Sequence, residues 1–194
     1  MYIPKKFDVT DAETIWVFVE ANAFGQIISS VEGKLFSPHM PFLVSSDRSK
    51  LVGHFAKTNP QGQEIEGQEI LVSLQGPHDY ISPSWYTSAG MPTWNYQAVH
   101  ISGAARIFRD QDRLKDLVDS LTKKYEVQFE QPWQPDYKAA MLGAIVGVEV
   151  EITDIQCQFK LGQNRSTEDR ERVAAELGKR GAHQLAKATR ETLY

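Results

Sequence analysis

The sequence predicts a mainly β fold with flanking helices, an α+β domain that carries a helical appendage. Before residue 110, at least five β-rich segments alternate with turn signals, and one long amphipathic helix follows them. The composition of the 194 residues, 41% hydrophobic and 24% charged, is that of an ordinary globular domain. Antiparallel strands in this number are best buried by closing the sheet, wholly or partly, into a barrel.

The first sixty residues predict a helix followed by an antiparallel meander. Thr10 and Glu13 form a capping-box pattern, and apolar residues at helical spacing after it predict a helix over 11–22. The β-rich segments that come next are 24–31, 34–44 and 51–56. Pro38 and Pro41 interrupt the second segment, which is therefore predicted to lie at an edge or to contain a bulge.

The rest of the chain predicts further strands and three more helical stretches. The predicted strands are 69–75, 95–108, 145–152 and 155–161, with helices at 111–125, 137–142 and 167–193. The helix after Asp110 has the clearest amphipathic spacing in the chain. Gly76 and Pro77 are expected to break or kink the fourth strand. The domain is predicted over 1–165. The charged tail, 166–194, is interpreted as a helical segment with a solvated face or as a partner-held arm.

Composition argues against several functional classes. The net charge of −4 gives little support for DNA binding, although it does not rule DNA out as a partner. Cys157 is the only cysteine, which suits a reducing cytoplasm. The longest apolar run, 139–148, is far shorter than a membrane span, and no signal peptide is visible at the N-terminus. No metal-ligand spacing occurs, so no metal site is expected.

One aromatic segment, residues 82–96, stands out as a candidate binding surface. It combines two tryptophans and two tyrosines with prolines, hydroxyls and an amide, which is unusual for a surface loop or for a core strand. Its notable residues are Ser82, Ser84, Trp85, Tyr86, Trp94, Asn95 and Tyr96. The segment suits a planar ligand with a polar rim or a subunit interface, and an aromatic corner of the core is the alternative.

Two other groups of residues leave alternatives open. His39 and His54 could line a polar ligand rim, or they could be half-buried strand residues. Lys160 and Arg165 follow a strand together with Gln163 and Asn164, and this pair of cations could hold a phosphate. Charges after a strand also commonly face solvent.

Long motifs then resemble a known family. The stretches 53–61, 76–78, 80–86, 92–96 and 159–165, together with 1–4 and 38–41, are similar to those of the PaiB-type FMN-binding negative transcriptional regulators. The resemblance covers nearly the whole chain in order. It departs at Gly162, where the family pattern usually has serine. If the serine hydroxyl binds the ligand or braces the loop, its absence puts the affinity of this chain for the ligand in question.

The resemblance implies a split β-barrel of the pyridoxamine-phosphate-oxidase-like, FMN-binding type. It further implies a homodimer with flavin at the subunit interface, and repression of sporulation and degradative-enzyme genes in bacilli. Two functional classes follow: a flavin-binding regulator or sensor without catalysis, and a flavin- or haem-dependent small oxidoreductase on the same barrel. Because the flavin itself supplies the redox chemistry, the lack of an evident general base does not decide between them.

With FMN as the implied ligand, the residues themselves suggest candidate contacts. We expect the isoalloxazine near Ser82, Ser84, Trp85 and Tyr86, with Trp94, Asn95 and Tyr96 supporting it or coming from the partner. No glycine-rich phosphate loop exists, so side chains must hold the phosphate. Lys160 and Arg165 are the first candidates, Gln163 and Asn164 hold the loop or donate, and Lys57 beside Thr58 is the rival.

Overall fold

The computed structural model describes residues 1–192, which form an eight-stranded sheet and six α-helices. The strands are β1 (Phe24–Val31), β2 (Lys34–Phe36), β3 (His39–Pro41), β4 (Leu43–Val44), β5 (Lys50–Ala56), β6 (Glu69–Ile81), β7 (Thr93–Phe108) and β8 (Ile145–Lys160). The helices are α1 (Ala12–Ala21), α2 (Gln61–Glu64), α3 (Gln111–Glu126), α4 (Ala139–Leu142), α5 (Thr167–Lys179) and α6 (His183–Glu191). The strand order is β2-β1-β6-β7-β8-β5-β4, and β3 pairs with β1.

The chain forms two compact units, and the long strands β7 and β8 contribute to both. Unit 1 contains Met1–Asn22, Gln75–His100 and the described residues from Gln156 onward. Unit 2 contains Ala23–Leu74 and Ile101–Ile155. The helical tail therefore belongs to the same compact unit as the aromatic segment. The division into a domain over 1–165 and a tail over 166–194 stays a prediction.

Unit 2 is built from antiparallel pairs. β1 pairs with β2, β3 and β6, and β5 pairs with β4 and β8. Helix α3, capped by the Asp110 carboxylate, buries Leu114, Leu117 and Leu121 against Phe108. Gly147 admits this ring, because a Cβ there would overlap it. The amphipathic spacing read from the sequence thus predicts the buried face of α3 correctly.

Unit 1 contains the other large helices. α1 buries Trp16, Phe18 and Val19, and Phe18 packs at 5.1 Å from the ring of Phe159 in β8. α5 and α6 pack against each other. Their leucines, Leu177 and Leu185, are almost fully buried, so each of the two tail helices has a buried apolar face. Residue 193, where the predicted tail helix ends, lies outside the described residues.

Several predicted elements need correction. Asp11, not Thr10, caps α1, since the Asp11 carboxylate accepts from the Thr14 amide at 2.8 Å. β6 continues through Pro77. Proline has no backbone N–H, and a strand tolerates it at a position where the ladder needs no hydrogen-bond donor. The glycine before it is required by packing rather than by a turn: a Cβ at Gly76 would lie 2.6 Å from the Phe18 ring.

Two further corrections concern the C-terminal part. Residues 145–160 form one continuous strand, where the sequence predicted two strands with a break. The single predicted tail helix is two helices, and the chain turns between them at Gly181, whose φ is +85°. Glycine adopts this left-handed conformation at little cost and commonly ends helices.

Within residues 1–192, no helix is both long enough and apolar enough to cross a bilayer.

Candidate functional site

A cationic cavity in unit 1 is lined by residues from the end of β8, from the loop after it and from the aromatic segment. Its volume is about 250 Å³. The charged residues that line it are Lys6, Lys160 and Arg165, and no carboxylate lines it. Thr93, Asn95 and Asn164 add a hydroxyl and two amides, and Tyr86 adds an aromatic wall. We call this the cation cavity. Its donor set is suited to a phosphate, which takes charge-assisted hydrogen bonds from several sides.

Lys160 is the last residue of β8, and its ammonium is held by neutral acceptors. Nζ donates to the Trp94 carbonyl at 2.9 Å and also to the hydroxyl of Thr93. Partial burial lowers the pKa of Lys160 from its ordinary value. No ion pair joins Lys160 to a carboxylate among the described residues, so an anion entering the cavity would stabilise its charge.

Arg165 is held by the aromatic segment. Its guanidinium lies 4.3 Å from the centroid of the Tyr86 ring, and Nη1 donates to the Ala89 carbonyl at 3.0 Å. Burial raises the pKa of Tyr86, while the nearby Arg165 charge opposes that shift. A Cβ at Gly90 would lie 2.8 Å from Cε2 of Tyr86 and 3.0 Å from Nη2 of Arg165, so only glycine fits beside this pair.

The loop after β8 is braced by Gln163. Its Oε1 accepts from the Leu161 amide at 2.8 Å, and its Nε2 donates to the Phe159 carbonyl at 2.6 Å. Gly162 sits in the loop at φ +84°, and the Arg165 amide donates to the Gly162 carbonyl. The Gln163 amide is therefore occupied with the loop, whereas Asn164 faces the cavity.

Ser82, Ser84 and Trp85 form a 3-10 turn that does not line the cation cavity. The two hydroxyls pair with each other at 2.8 Å, and the Ser84 amide donates to Ser82. The Trp85 carbonyl accepts from Nε of Arg172 at 2.9 Å, and the Arg180 guanidinium lies 5.7 Å from the Trp85 ring. The turn is thus fastened to α5 and its C-terminal cap.

An exposed aromatic cluster lies on the neighbouring strands. Trp94 is 53% exposed. The centroid of its ring lies 6.2 Å from that of Tyr80, in an edge-on contact, and 6.4 Å from that of His78. Met91 is 74% exposed. Tyr96 is half-buried on the same strand. Large apolar side chains grouped at a surface usually mark a binding face.

The three remaining predicted contacts, His39, His54 and Lys57, belong to unit 2. The ring of His39 stacks on that of Phe24, with 6.1 Å between the two ring centroids. His54 lies in β5 with its Nδ1 buried, and among the described residues that atom has no hydrogen-bond partner. Burial lowers the pKa of His54. Lys57 lines a separate cavity of about 140 Å³ together with Arg109.

Sequence reasoning missed three residues of the site. Lys6 lies in an N-terminal 3-10 turn and lines the cation cavity. Thr93 binds Lys160, and Asp169 of α5 binds Thr87 and Ser88. A lysine near a terminus and an acid early in a helix are common on surfaces, so only the three-dimensional contacts distinguish these residues. Among residues 1–192, no three His, Cys, Asp or Glu side chains are grouped for a metal ion.

Known proteins resemble this chain in sequence and in fold. A relative in Bacillus subtilis (strain 168), named "Protease synthase and sporulation protein PAI 2", is 42% identical over 185 residues, which is 91% of this chain and 89% of the relative. The flavocytochrome Anf3 from Azotobacter vinelandii has the same fold, with a TM-score of 0.69, 16% identity and coverage of 87% and 77% of the two chains. The FAD and haem binding protein from Mycobacterium smegmatis also has this fold, with a TM-score of 0.66 and 14% identity. The match covers 84% of this chain and 78% of that protein.

These likenesses confirm the predicted fold class, a mainly antiparallel split barrel with flanking helices. The sequence model described as "Putative FMN-binding domain" matches residues 1–154. That match covers well over half of the chain, and it agrees with the predicted cofactor, FMN. The chain is a member of this FMN-binding family, and its Bacillus subtilis relative is of the PaiB type.

Proposed function

We propose that the cation cavity holds the FMN phosphate, with Lys160 and Arg165 as the principal donors and Lys6 and Asn164 as further contacts. The observation that carries the proposal is the set of three cations on one cavity without a lining carboxylate. A dianion entering this cavity gains charge-assisted hydrogen bonds worth about 1.5–3 kcal/mol each. Gln163 braces the loop that presents Arg165.

The size of the cavity supports a divided site. At about 250 Å³ it lies below the volume of roughly 300–1,000 Å³ typical of small-molecule pockets, so it suits the phosphate and part of the ribityl chain. We place the isoalloxazine on the aromatic segment, where Trp85, Trp94 and Tyr96 offer rings. When bound, the flavin supplies redox chemistry, and the chain supplies position and charge.

The exposed contact of Tyr80 with Trp94, together with the exposed Met91 at the cation cavity, supports a homodimer whose interface covers these side chains. A second subunit would complete the ring-binding part of the site. We expect sedimentation at micromolar concentration to show a dimer. A monomer that does not change on addition of FMN would rule this part of the proposal out.

As to biological role, we propose a flavin-dependent regulator or sensor. Its Bacillus subtilis relative carries the name of a protease synthase and sporulation protein, which suits a role in regulation. We place the protein in the cytoplasm, because its single cysteine, Cys157, is a buried free thiol. Direct DNA binding is not part of the proposal, since the net charge is −4.

A small oxidoreductase is the second candidate, because the barrel is shared with a flavocytochrome and with an FAD and haem binding protein. The visible spectrum of the purified protein and turnover with NADH or NADPH separate the two. A flavin spectrum without turnover supports the regulator. A Soret band or steady turnover supports the enzyme.

The phosphate assignment is tested by comparing FMN with riboflavin, which lacks the phosphate. Arg165→Ala should weaken FMN by roughly ten- to a hundredfold and leave riboflavin almost unchanged. Trp85→Ala is the matched variant for the ring, and should weaken both ligands alike. Lys57→Ala should affect neither. Equal losses of FMN and riboflavin in Arg165→Ala, with a phosphate-specific loss in Lys57→Ala, would move the phosphate to Lys57.

A further inference from the structure

Asp169 makes an unusual set of contacts for an acid in the first turn of a helix. It is the third residue of α5, and its amide donates to the N-cap hydroxyl of Ser166 at 3.2 Å. Its own carboxylate does not return to the helix end. Oδ1 accepts from the amide of Thr87 at 2.7 Å and from the Thr87 hydroxyl at 2.9 Å, and Oδ2 accepts from Ser88 at 2.6 Å.

These hydrogen bonds hold a buried carboxylate without an ion pair. Asp169 is fully buried, and no salt bridge to it occurs among the described residues. Hydrogen bonding, with Ser88 as the largest contributor, lowers its pKa to about 2. The negative charge also lies at the positive end of the α5 dipole. The contacts therefore persist throughout the neutral pH range.

The residues that Asp169 holds lie between the two groups that orient Arg165. On one side of Thr87 and Ser88 is Tyr86, whose ring faces the Arg165 guanidinium. On the other side is Ala89, whose carbonyl accepts from Nη1 of Arg165. We call residues 86–90 the arginine loop. With Thr87 and Ser88 fixed to α5, both contacts to Arg165 are fixed as well.

We propose that Asp169 is a positioning residue for the phosphate site, acting through the arginine loop to hold Arg165 at the cation cavity. The inference rests on the proposed function, because it needs Arg165 to bind the phosphate. A preorganised guanidinium binds an anion more tightly than one that must be ordered on binding. Asp169 itself does not line the cavity, so its effect is indirect.

The test is a double-mutant cycle on the full-length protein, with FMN and riboflavin dissociation constants measured for each variant. Asp169→Asn keeps the shape but replaces one acceptor oxygen with an NH₂ group. It should weaken FMN by up to roughly tenfold and leave riboflavin unchanged. In the Arg165→Ala background, Asp169→Asn should cause no further loss of FMN.

Two further variants distinguish an effect on Arg165 from a general loss of folding stability. Ser88→Ala removes one of the three hydrogen bonds, and should shift FMN affinity in the same direction by less. Asp47→Asn is the matched control: Asp47 also accepts from two serines, Ser45 and Ser49, and lies in unit 2. It should leave both ligands unaffected.

The outcomes separate this inference from the proposed function. A phosphate-specific loss in Arg165→Ala, but equal losses of FMN and riboflavin or additive effects in Asp169→Asn, would overturn the positioning role alone. An Arg165→Ala variant without a phosphate-specific loss would overturn the proposed site, and the positioning role with it.

Discussion

The Arg165 guanidinium lies 4.3 Å from the centroid of the Tyr86 ring. The ring face attracts the cation and leaves the edge of the guanidinium available for hydrogen bonds. Such a contact contributes about 0.5–2 kcal/mol. Tyr86 therefore holds Arg165 in place before any ligand arrives.

We expect Tyr86→Leu to weaken FMN by roughly twofold to thirtyfold, the equivalent of that energy range. Tyr86→Phe keeps the ring face but removes the hydroxyl that also interacts with Arg165, so it should lose less FMN affinity than Tyr86→Leu. Isothermal titration with FMN and riboflavin measures both variants. A matching loss of riboflavin affinity in Tyr86→Leu would indicate that Tyr86 contacts the isoalloxazine rather than supporting Arg165.

Gly162 is the second target, because it stands where the family resemblance predicts serine. Its φ of +84° lies in the left-handed region, and a residue with a Cβ pays roughly 1–2 kcal/mol for it. Space is available, since the nearest atom to an added Cβ is Cγ of Arg170 at 3.6 Å. Gly162→Ser should therefore lower the free energy of unfolding by about that amount, measured in urea.

Gly178→Ala is a useful control for Gly162→Ser. Gly178 lies inside α5 with nothing within 4 Å of an added Cβ, and alanine favours helix. It should raise the free energy of unfolding. If Gly162→Ser also raised it, the loop would not adopt the left-handed conformation at this position.

His54 predicts a pH dependence of stability. Burial lowers its pKa below the ordinary value of 6.5, so the unfolded chain takes up a proton at a higher pH than the folded protein. The resulting stability is complete above pH 6.5 and is lost as the pH falls from there toward the folded-state pKa. Between pH 8 and pH 5, wild type should lose more stability than His54→Gln. His100, whose pKa burial also lowers, is present in both proteins and cancels. Parallel curves for the two proteins would contradict the prediction.

Cys157 should be unreactive in the folded protein. It is 1% exposed, and burial raises the pKa of its thiol to about 12, with a smaller contribution from Asp8. Thiol reagents attack the thiolate, which is scarce at pH 8. Ellman's reagent should therefore give one equivalent in denaturant and almost none in buffer. Rapid reaction of the native protein would show that the strand end around Cys157 opens readily.

Much of the fold follows from local patterns, and the failures have physical causes. The leucines of α3 fall at helical spacing, so their buried face was predictable. The sequence predicted a break or a kink at Gly76 and Pro77, and the break does not occur, because β6 continues to Ile81. Packing of Phe18 on Gly76, rather than a turn, explains that glycine. The continuity of β8 was missed because Thr153 and Asp154 are polar and interrupt the alternation of its apolar residues.

The site was predictable only in part. Lys160 and Arg165 sit in a long motif, and the structure places both on one cavity. Lys6 was not predicted, because only the fold brings the N-terminal turn to residue 160. Asp169 contacts Thr87 and Ser88, which precede it in the sequence by 82 and 81 positions. No local sequence pattern predicts contacts over such a separation.

The family match ends at residue 154, within β8, which continues to Lys160. Lys160, Arg165 and Asp169 all come after that point. If Lys160 and Arg165 hold the phosphate, its two principal donors lie outside the segment that defines the family, whereas Lys6 lies inside it. Members of the family could then share the matched segment and still differ in which flavin they retain, through changes confined to the last forty residues.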